Sequence, residues 1–284
     1  MKLLSPFALA AALAMAAPAP PASLRVYVFD GGTLEGGDVS RFSLKREEMA
    51  TTDMSVAAYL IVHPKGTLIW DTGALPDSEL TAPGRMTRYR IVLPNGAERF
   101  VTTSTTLASQ LASTGYAPRD ITYLALSHYH YDHTGNANMF AASTWLTRQL
   151  ERDVMFPDKP NALTRPETYS KLKTSKTTII TSGDYDVFGD GTVVLKLTPG
   201  HTPGHQVLFV KLAKTGPLVI SGDLYHYPEE RRLHRVPTFD ADPKQTAASR
   251  AALETFIQKT GAHLWIQHDL LGTRKLNKAP AYYE

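Results

Sequence analysis

Mixed β-sheets covered by helices, an α/β (α+β) architecture, are what this 284-residue sequence predicts. Three observations lead there. Short apolar runs rich in Val, Ile, Leu and Tyr recur at strand length. Stretches with apolar residues at helical spacing stand between some of them. The order of the two kinds of segment is not the strict strand–helix alternation of one parallel sheet. With 43% apolar and 20% charged residues, the composition is that of a globular chain long enough to bury a core.

In chain order the expected strands are 24–29, 56–63, 67–70, 121–127, 192–198, 204–212, 217–221 and 263–267. Pro64-Lys65-Gly66 turns the second back onto the third. Helices are expected at 105–114, 145–156, 166–172 and 242–260. The last carries Pro243 in its first turn and Gly261 just past its end, the usual start and stop signals. Residues 75–99 are polar and read as an inserted surface loop. No internal repeat and no linker-like stretch divides residues 23–284, so one domain is expected.

Residues 1–22 read as a secretory signal peptide. Lys2 supplies the positive start, and the Ala-rich end offers small-residue cleavage sites somewhere between Ala17 and Ser23. The apolar stretch between them is shorter than the ~20 residues of a membrane-spanning helix. The expected location is periplasmic or secreted, with no membrane attachment after cleavage. A formal charge of +3 without a long charge run gives no electrostatic reason for a nucleic-acid or membrane-surface partner. The chain has no cysteine, which removes disulfides, zinc ribbons and iron–sulfur clusters, so a metal site must be built from His, Asp and Glu.

Four of the expected strands end in groups that bind metals. One runs into His128-Tyr129-His130-Tyr131-Asp132-His133, another through Pro199-Gly200 into His201, a third through Gly222 into Asp223, and a fourth into His268. Strand ends on one edge of a sheet are where α/β folds place their sites. Taken alone, His201 or His268 reads as a surface or satisfied core residue, and Asp223 as a turn cap. The cluster is different: three histidines and an aspartate within six residues have no ordinary packing role. Imidazole and carboxylate together suit zinc, iron or manganese.

The segments SHYHYDHTGN, LTPGHTPGH, SGD and WIQHD, with WDTG at 70–73, resemble the metallo-β-lactamase superfamily, in order along nearly the whole chain after residue 22. The resemblance implies an αββα sandwich of two mixed sheets with two divalent metal ions at one edge, zinc first, with iron, manganese or cobalt as alternatives. Carried over residue by residue, His128, His130 and His201 hold one ion, Asp132, His133 and His268 the other, and Asp223 bridges both. Asp71 corresponds to a buried aspartate behind the site. Within the superfamily, GDLYHYPEERRLHRVPTFDAD is most similar to the N-acyl-homoserine lactonases. The resemblance therefore implies a small ester or lactone as substrate, attacked by a hydroxide shared between the ions, with Asp132 passing a proton to the leaving alkoxide. The bridging Asp223 argues against a class B β-lactamase. A phosphotriesterase, arylesterase or β-lactamase using the same site remains the alternative, since fold does not fix substrate. A metal-binding or redox protein is the reading from a different class. The oligomeric state is left open, a dimer included.

One position departs from the lactonase pattern. Where lactonases carry a tyrosine three residues after the bridging aspartate, this sequence has His226, flanked by Tyr225 and Tyr227. Either His226 or Tyr225 is then the hydrogen-bond donor to the substrate carbonyl, or the substrate is not a lactone. His205 reads as a partner that orients the site. His63 and His234 read as surface residues and His263 as packing, while Arg231, Arg232 and Arg235 read as a solvated loop. Met86, Tyr89, Ile91 and Phe100 either line a channel for an acyl tail or pack the 75–99 loop onto the body.

Overall fold

The computed structural model describes residues 19–159 and 161–284. The expected signal peptide lies, up to residue 18, outside the described residues. The first sheet contains β1 (Arg25–Leu34), β2 (Met54–His63), β3 (Gly66–Trp70), β4 (Thr87–Val92), β5 (Glu98–Thr103), β6 (Tyr123–Ala125), β7 (Thr144–Thr147) and β8 (Thr177–Ile179), in the spatial order β4-β5-β1-β2-β3-β6-β7-β8. The second holds β9 (Asp184–Asp186), β10 (Val193–Leu197), β11 (Gln206–Leu212), β12 (Gly216–Ile220) and β13 (His263–Trp265), ordered β13-β12-β11-β10-β9. A last strand, β14 (Tyr282–Tyr283), pairs with β1 in the first sheet. Both sheets are mixed: β3, β6, β7 and β8 run parallel, as do β12 and β13, and the other pairings are antiparallel. The helices are α1 (Leu107–Ser113), α2 (Tyr131–Thr134), α3 (Gln149–Met155), α4 (Pro166–Tyr169), α5 (Pro228–Leu233), α6 (Pro243–Thr260) and α7 (Leu270–Lys275).

The layers follow from which face each side chain takes. Strand β2 is buried along its whole length, the mark of a strand covered on both faces. Its Ala57, Tyr59 and Ile61 meet Leu195, Leu208 and Leu218 of the second sheet. Its Ala58, Leu60 and Val62 face the other way, toward Leu107 and Leu111 of α1 and Met155 of α3. The far face of the second sheet is covered by α6, whose Leu253, Phe256 and Ile257 pack on Val207, Phe209 and Val219. Helix, sheet, sheet, helix is thus the αββα sandwich expected. Among the described residues no helix is long and apolar enough to cross a membrane.

Several expectations fail. Residues 75–99 are not a surface loop: β4 pairs with β5, which pairs with β1. Tyr89 and Ile91 join a core cluster with Leu34 and Val101, while Arg88, Arg90 and Val92 point outward. Arg88-Tyr89-Arg90-Ile91 does alternate polar with apolar, the signal of a half-buried strand, but the run is short and apolar Val92 on the outer face breaks it. The helix expected over 145–156 begins only at Gln149, because Trp145 and Leu146 belong to β7, a short buried parallel strand. Short apolar runs do not distinguish the two states. Strands β8, β9 and β14 were not anticipated, nor was α5, which turns the supposed arginine loop into a helix. His63 is buried rather than on the surface, stacked on Phe188 with its Nε2 2.9 Å from Asp190. His263 is exposed rather than packed.

Candidate metal centre

The strand ends converge at one edge of the sandwich. Beyond β6 the chain passes from Ser127 into α2, carrying His128, His130, Asp132 and His133. The β10–β11 turn brings His201, the segment after β12 brings Asp223, and the end of β13 leads to His268. Two glycines make the approach close enough. A Cβ at Gly200 (φ +137°) would lie 2.2 Å from the backbone nitrogen of Thr246 in α6, and one at Gly222 (φ +48°) 2.7 Å from Cβ of Ser127. Neither the contact nor the backbone conformation admits another residue easily.

All seven ligand candidates are buried and fall into two groups, His128, His130, His201 and Asp223, and Asp132, His133 and His268. His201 Nε2 lies 3.0 Å from His130 Nδ1 and 3.2 Å from His128 Nε2. Asp223 turns its Oδ2 toward His128 and His201, at 3.5 and 3.4 Å. Its Oδ1 faces His133 Nε2 at 3.0 Å and His268 Nε2 at 3.1 Å. Asp132 Oδ2 stands 3.7 Å from His268 Nε2. Asp223 Oδ1, His133 Nε2 and His268 Nε2 are nonetheless buried without a properly directed hydrogen bond. Such orphaned groups are costly, and nitrogens and oxygens converging this way fit a shared divalent cation.

In the first group the protonation tendencies agree. Burial, aided by the neighbouring imidazoles, pushes His128, His130 and His201 well below the ordinary histidine range, leaving neutral rings with free lone pairs. On Asp223, burial disfavours the charge, but four surrounding histidines outweigh it and hold the carboxyl well below its usual value.

Other residues hold these side chains in place. Asp71, at the end of β3 with an unusual positive φ of 55°, is fully buried. Its Oδ2 meets His133 Nδ1 at 2.8 Å and accepts from Gln267 Nε2 at 2.8 Å, while Oδ1 accepts from the Ser127 amide at 2.6 Å. The expected buried aspartate thus ties β3 to two ligand segments. His268 Nδ1 reaches the carbonyl of Ser55 at 2.7 Å. His201 Nδ1 meets Asp240 Oδ1 at 2.8 Å, and Thr246 donates to the other oxygen. His205 Nε2 accepts from the Asp223 amide at 3.0 Å; burial holds its pKa down to about 3, so it is the neutral acceptor that this bond requires. Glu151 on α3 spans two ligand segments, accepting from the Tyr129 amide on one side and from Thr202 Oγ1 and the Gly204 amide on the other. Sequence reasoning missed Asp240, Glu151 and Ser55, and no local pattern marks them.

A cavity of about 300 Å³ opens over the centre, reaching His130, Asp132, His201, Asp223, His226 and His268. Leu34, Phe42, Met54, Phe100, Leu163 and Phe239 give it apolar walls. Of the channel candidates only Phe100 reaches it: Tyr89 and Ile91 are core, and Met86 is exposed. His226, not Tyr225, faces this cavity. Its Nε2 is 3.2 Å from Asp223 Oδ2, and its ring is held edge-on by Phe42 and Phe239. Tyr225 is turned away, its hydroxyl donating to Glu254 at 3.0 Å, and Tyr227 donates to the Thr52 carbonyl.

Comparison with known proteins gives the same picture. The sequence matches the metallo-beta-lactamase superfamily over residues 51–263. The N-acyl homoserine lactonase AttM of Azorhizobium caulinodans is 28% identical over 266 residues, covering 92% of this chain and 99% of its own. An N-acyl homoserine lactone hydrolase, solved with the product N-hexanoyl-L-homoserine at its catalytic metal center, superposes with a TM-score of 0.72 at 24% identity, over 92% of this chain and 99% of that one. AidC, a dizinc quorum-quenching lactonase, gives 0.61 at 20% identity, over 92% and 93%. At these identities the structural likeness is one of fold. Sheet order, strand-end histidines and a match over three quarters of the sequence lead to one conclusion: the chain belongs to the metallo-beta-lactamase superfamily.

Proposed function

We propose that the protein is a two-metal hydrolase that opens the ring of N-acyl-homoserine lactones. The observation that carries the reading is Asp223, whose two oxygens are divided between the two ligand groups. His128, His130 and His201 would hold one ion and Asp132, His133 and His268 the other, with Asp223 common to both and zinc the ion we favour. Bound there, a divalent pair supplies a water acidified to a pKa of roughly 7 and a polarised carbonyl. The apolar cavity walls offer an acyl tail a place to lie while excluding water from the reacting end. His226 Nε2 is placed to donate to the carbonyl oxygen as negative charge develops on it. Both ring nitrogens face carboxylate oxygens, Asp223 and Glu230, which outweigh the effect of burial and push its pKa up to about 10. Asp132, at the rim of the cavity, is the carboxyl group placed to pass a proton to the leaving alkoxide.

Metal analysis followed by proton-release assays with short- and long-chain N-acyl-homoserine lactones, paraoxon, an aryl ester and nitrocefin tests the reading. Lactones should give the highest kcat/KM, with two ions per chain. Rapid nitrocefin or paraoxon turnover with no lactone opening overturns it. His226→Ala should keep both metals and lose mainly kcat. We also read the protein as periplasmic or secreted, on the composition of residues 1–22. A new N-terminus between Ala17 and Ser23 in exported protein checks this, and an unprocessed chain confined to the cytoplasm refutes it.

A further inference from the structure

His226 stands at one end of a buried chain of polar groups that leads away from the cavity. Its Nδ1 and Glu230 Oε1 face each other at 3.3 Å, both are buried, and neither has another hydrogen-bond partner. The second oxygen of Glu230 is fully used: it accepts from the His226 backbone amide at 3.1 Å and from Arg250 Nη2 at 2.7 Å. Glu230 has no solvent exposure, so its carboxylate answers only to these groups. Arg250 is itself fixed, its Nε donating to the Leu224 carbonyl at 2.6 Å, its Nη1 to the Arg235 carbonyl, and its guanidinium lying over the Tyr225 ring. The arginine that compensates Glu230 comes from α6, the glutamate from α5 and the histidine from the segment between β12 and α5. One carboxylate therefore grips both the backbone and the ring of the same residue.

We propose that Glu230 is a positioning residue for His226, holding the imidazole by Nδ1 so that Nε2 points at the reacting end of the cavity. The inference rests on His226 acting on the substrate, as proposed above. A tyrosine at this position would need no such anchor, since its hydroxyl sits at the tip of a ring that packing alone can orient. A histidine has two edges to choose between, and without Glu230 the ring would be held at Nε2 alone, by Asp223 Oδ2 at 3.2 Å, with nothing fixing Nδ1. Glu230 supplies the choice. The simpler role, in which the Glu230–Arg250 pair merely ties α5 to α6, makes a different prediction, because it does not pass through His226.

A double-mutant cycle separates the two. Glu230→Gln keeps the size of the side chain and an oxygen for Arg250. It should lower kcat about 10-fold, leave KM within about twofold, and retain two metals per chain. In a His226→Ala background the same change should have no further effect on kcat. In metal-free protein, Glu230→Gln should also shift the imidazole ¹⁵N resonances of His226 and leave those of His205 in place. An unchanged kcat, or an equal loss in both backgrounds, overturns the proposal. Should the single variant fail to fold, Glu230→Gln with Arg250→Met removes both buried charges together and the cycle is run on that pair. The substrate is whichever the panel above ranks first. Failure to open lactones then counts against the substrate reading, and additivity in the cycle counts against Glu230.

Discussion

The two groups of candidate ligands share Asp223 but differ in how their surroundings treat charge on the imidazoles. The first consists of three imidazoles, backed by a hydroxyl on His128, from Ser127 at 3.0 Å, and by Asp240 on His201. Burial alone would leave these rings uncharged. The second includes a carboxylate of its own, Asp132, and its His133 lies between Asp223 and Asp71. Burial opposes charge on that ring too, yet the two carboxylates outweigh it and hold its pKa well above the usual value. In the first group burial prevails on all three rings, whereas in the second the carboxylates prevail on His133. Counting Asp223 in both, the first donor set offers three nitrogens to one oxygen and the second two of each, so two bound ions would meet donor sets of different hardness and need not share affinity or identity.

Variants can break this comparison one group at a time. Asp223→Ala should have the largest effect, because it removes the ligand common to both groups and leaves His133 Nε2 and His268 Nε2 without the oxygen they now face. Both ions and all activity should be lost together, as read by metal analysis and the lactone assay. A variant that kept two tightly bound ions would show that Asp223 is not the bridge. Next comes Asp71→Asn. It leaves the ligands in place but removes the carboxylate from His133 Nδ1 and one acceptor from the Gln267 amide. Changes of this kind cost about 10–100-fold in metal affinity, and the loss should fall on the second ion. Stepwise metal titration would show one site weakened and one preserved; equal weakening of both would contradict the division into two groups.

How much of this was legible beforehand depended on the range of the interactions. The candidate ligands could be read because they stand at the ends of apolar runs, and because four of them share six residues. Strand β2 could be read because burial on both faces leaves an unbroken apolar stretch. The β4–β5 hairpin was harder to read, because the alternation Arg88-Tyr89-Arg90-Ile91 is short, is broken by outward-facing Val92, and lies within a polar stretch. The groups that hold the ligands were hidden for another reason. Asp240 lies 39 positions from His201, and Glu151 lies 22 positions from Tyr129 and 53 from Gly204. Each is a single acidic residue in an ordinary context, with a partner that only the tertiary fold supplies. His226 was visible as a departure from the lactonase pattern, whereas Glu230, four residues on, had nothing to set it apart from Glu229.

A smaller effect is expected from Asp240→Asn, which mirrors Asp71→Asn on the other group. Asparagine keeps an oxygen for His201 Nδ1 or for Thr246 but not the charge, so the first ion should bind about 10-fold more weakly while the second is unaffected. The pair of variants sharpens the comparison: opposite selectivity in the two titrations supports separate support systems, and identical profiles would show the centre to be one cooperative unit.

The smallest effect on metal binding is expected at Glu151, which touches no ligand atom and acts on backbone and hydroxyl groups of both segments. Burial raises its pKa from the ordinary glutamate value of about 4.5 to about 7, against the three hydrogen bonds it accepts. Between these two pH values the unfolded chain carries an ionised glutamate while the folded protein keeps the proton. The folded state binds more protons there, so this group's contribution to stability falls as pH rises through that window and is level above it. The slope is at most about 1.4 kcal/mol per pH unit. Glu151→Gln removes the titration, so the stability of wild type relative to this variant should decline from pH 4.5 to 7 in urea unfolding of the metal-free protein. A difference that stayed constant across that range would mean that Glu151 is ionised throughout, its three donors having overcome the cost of burial.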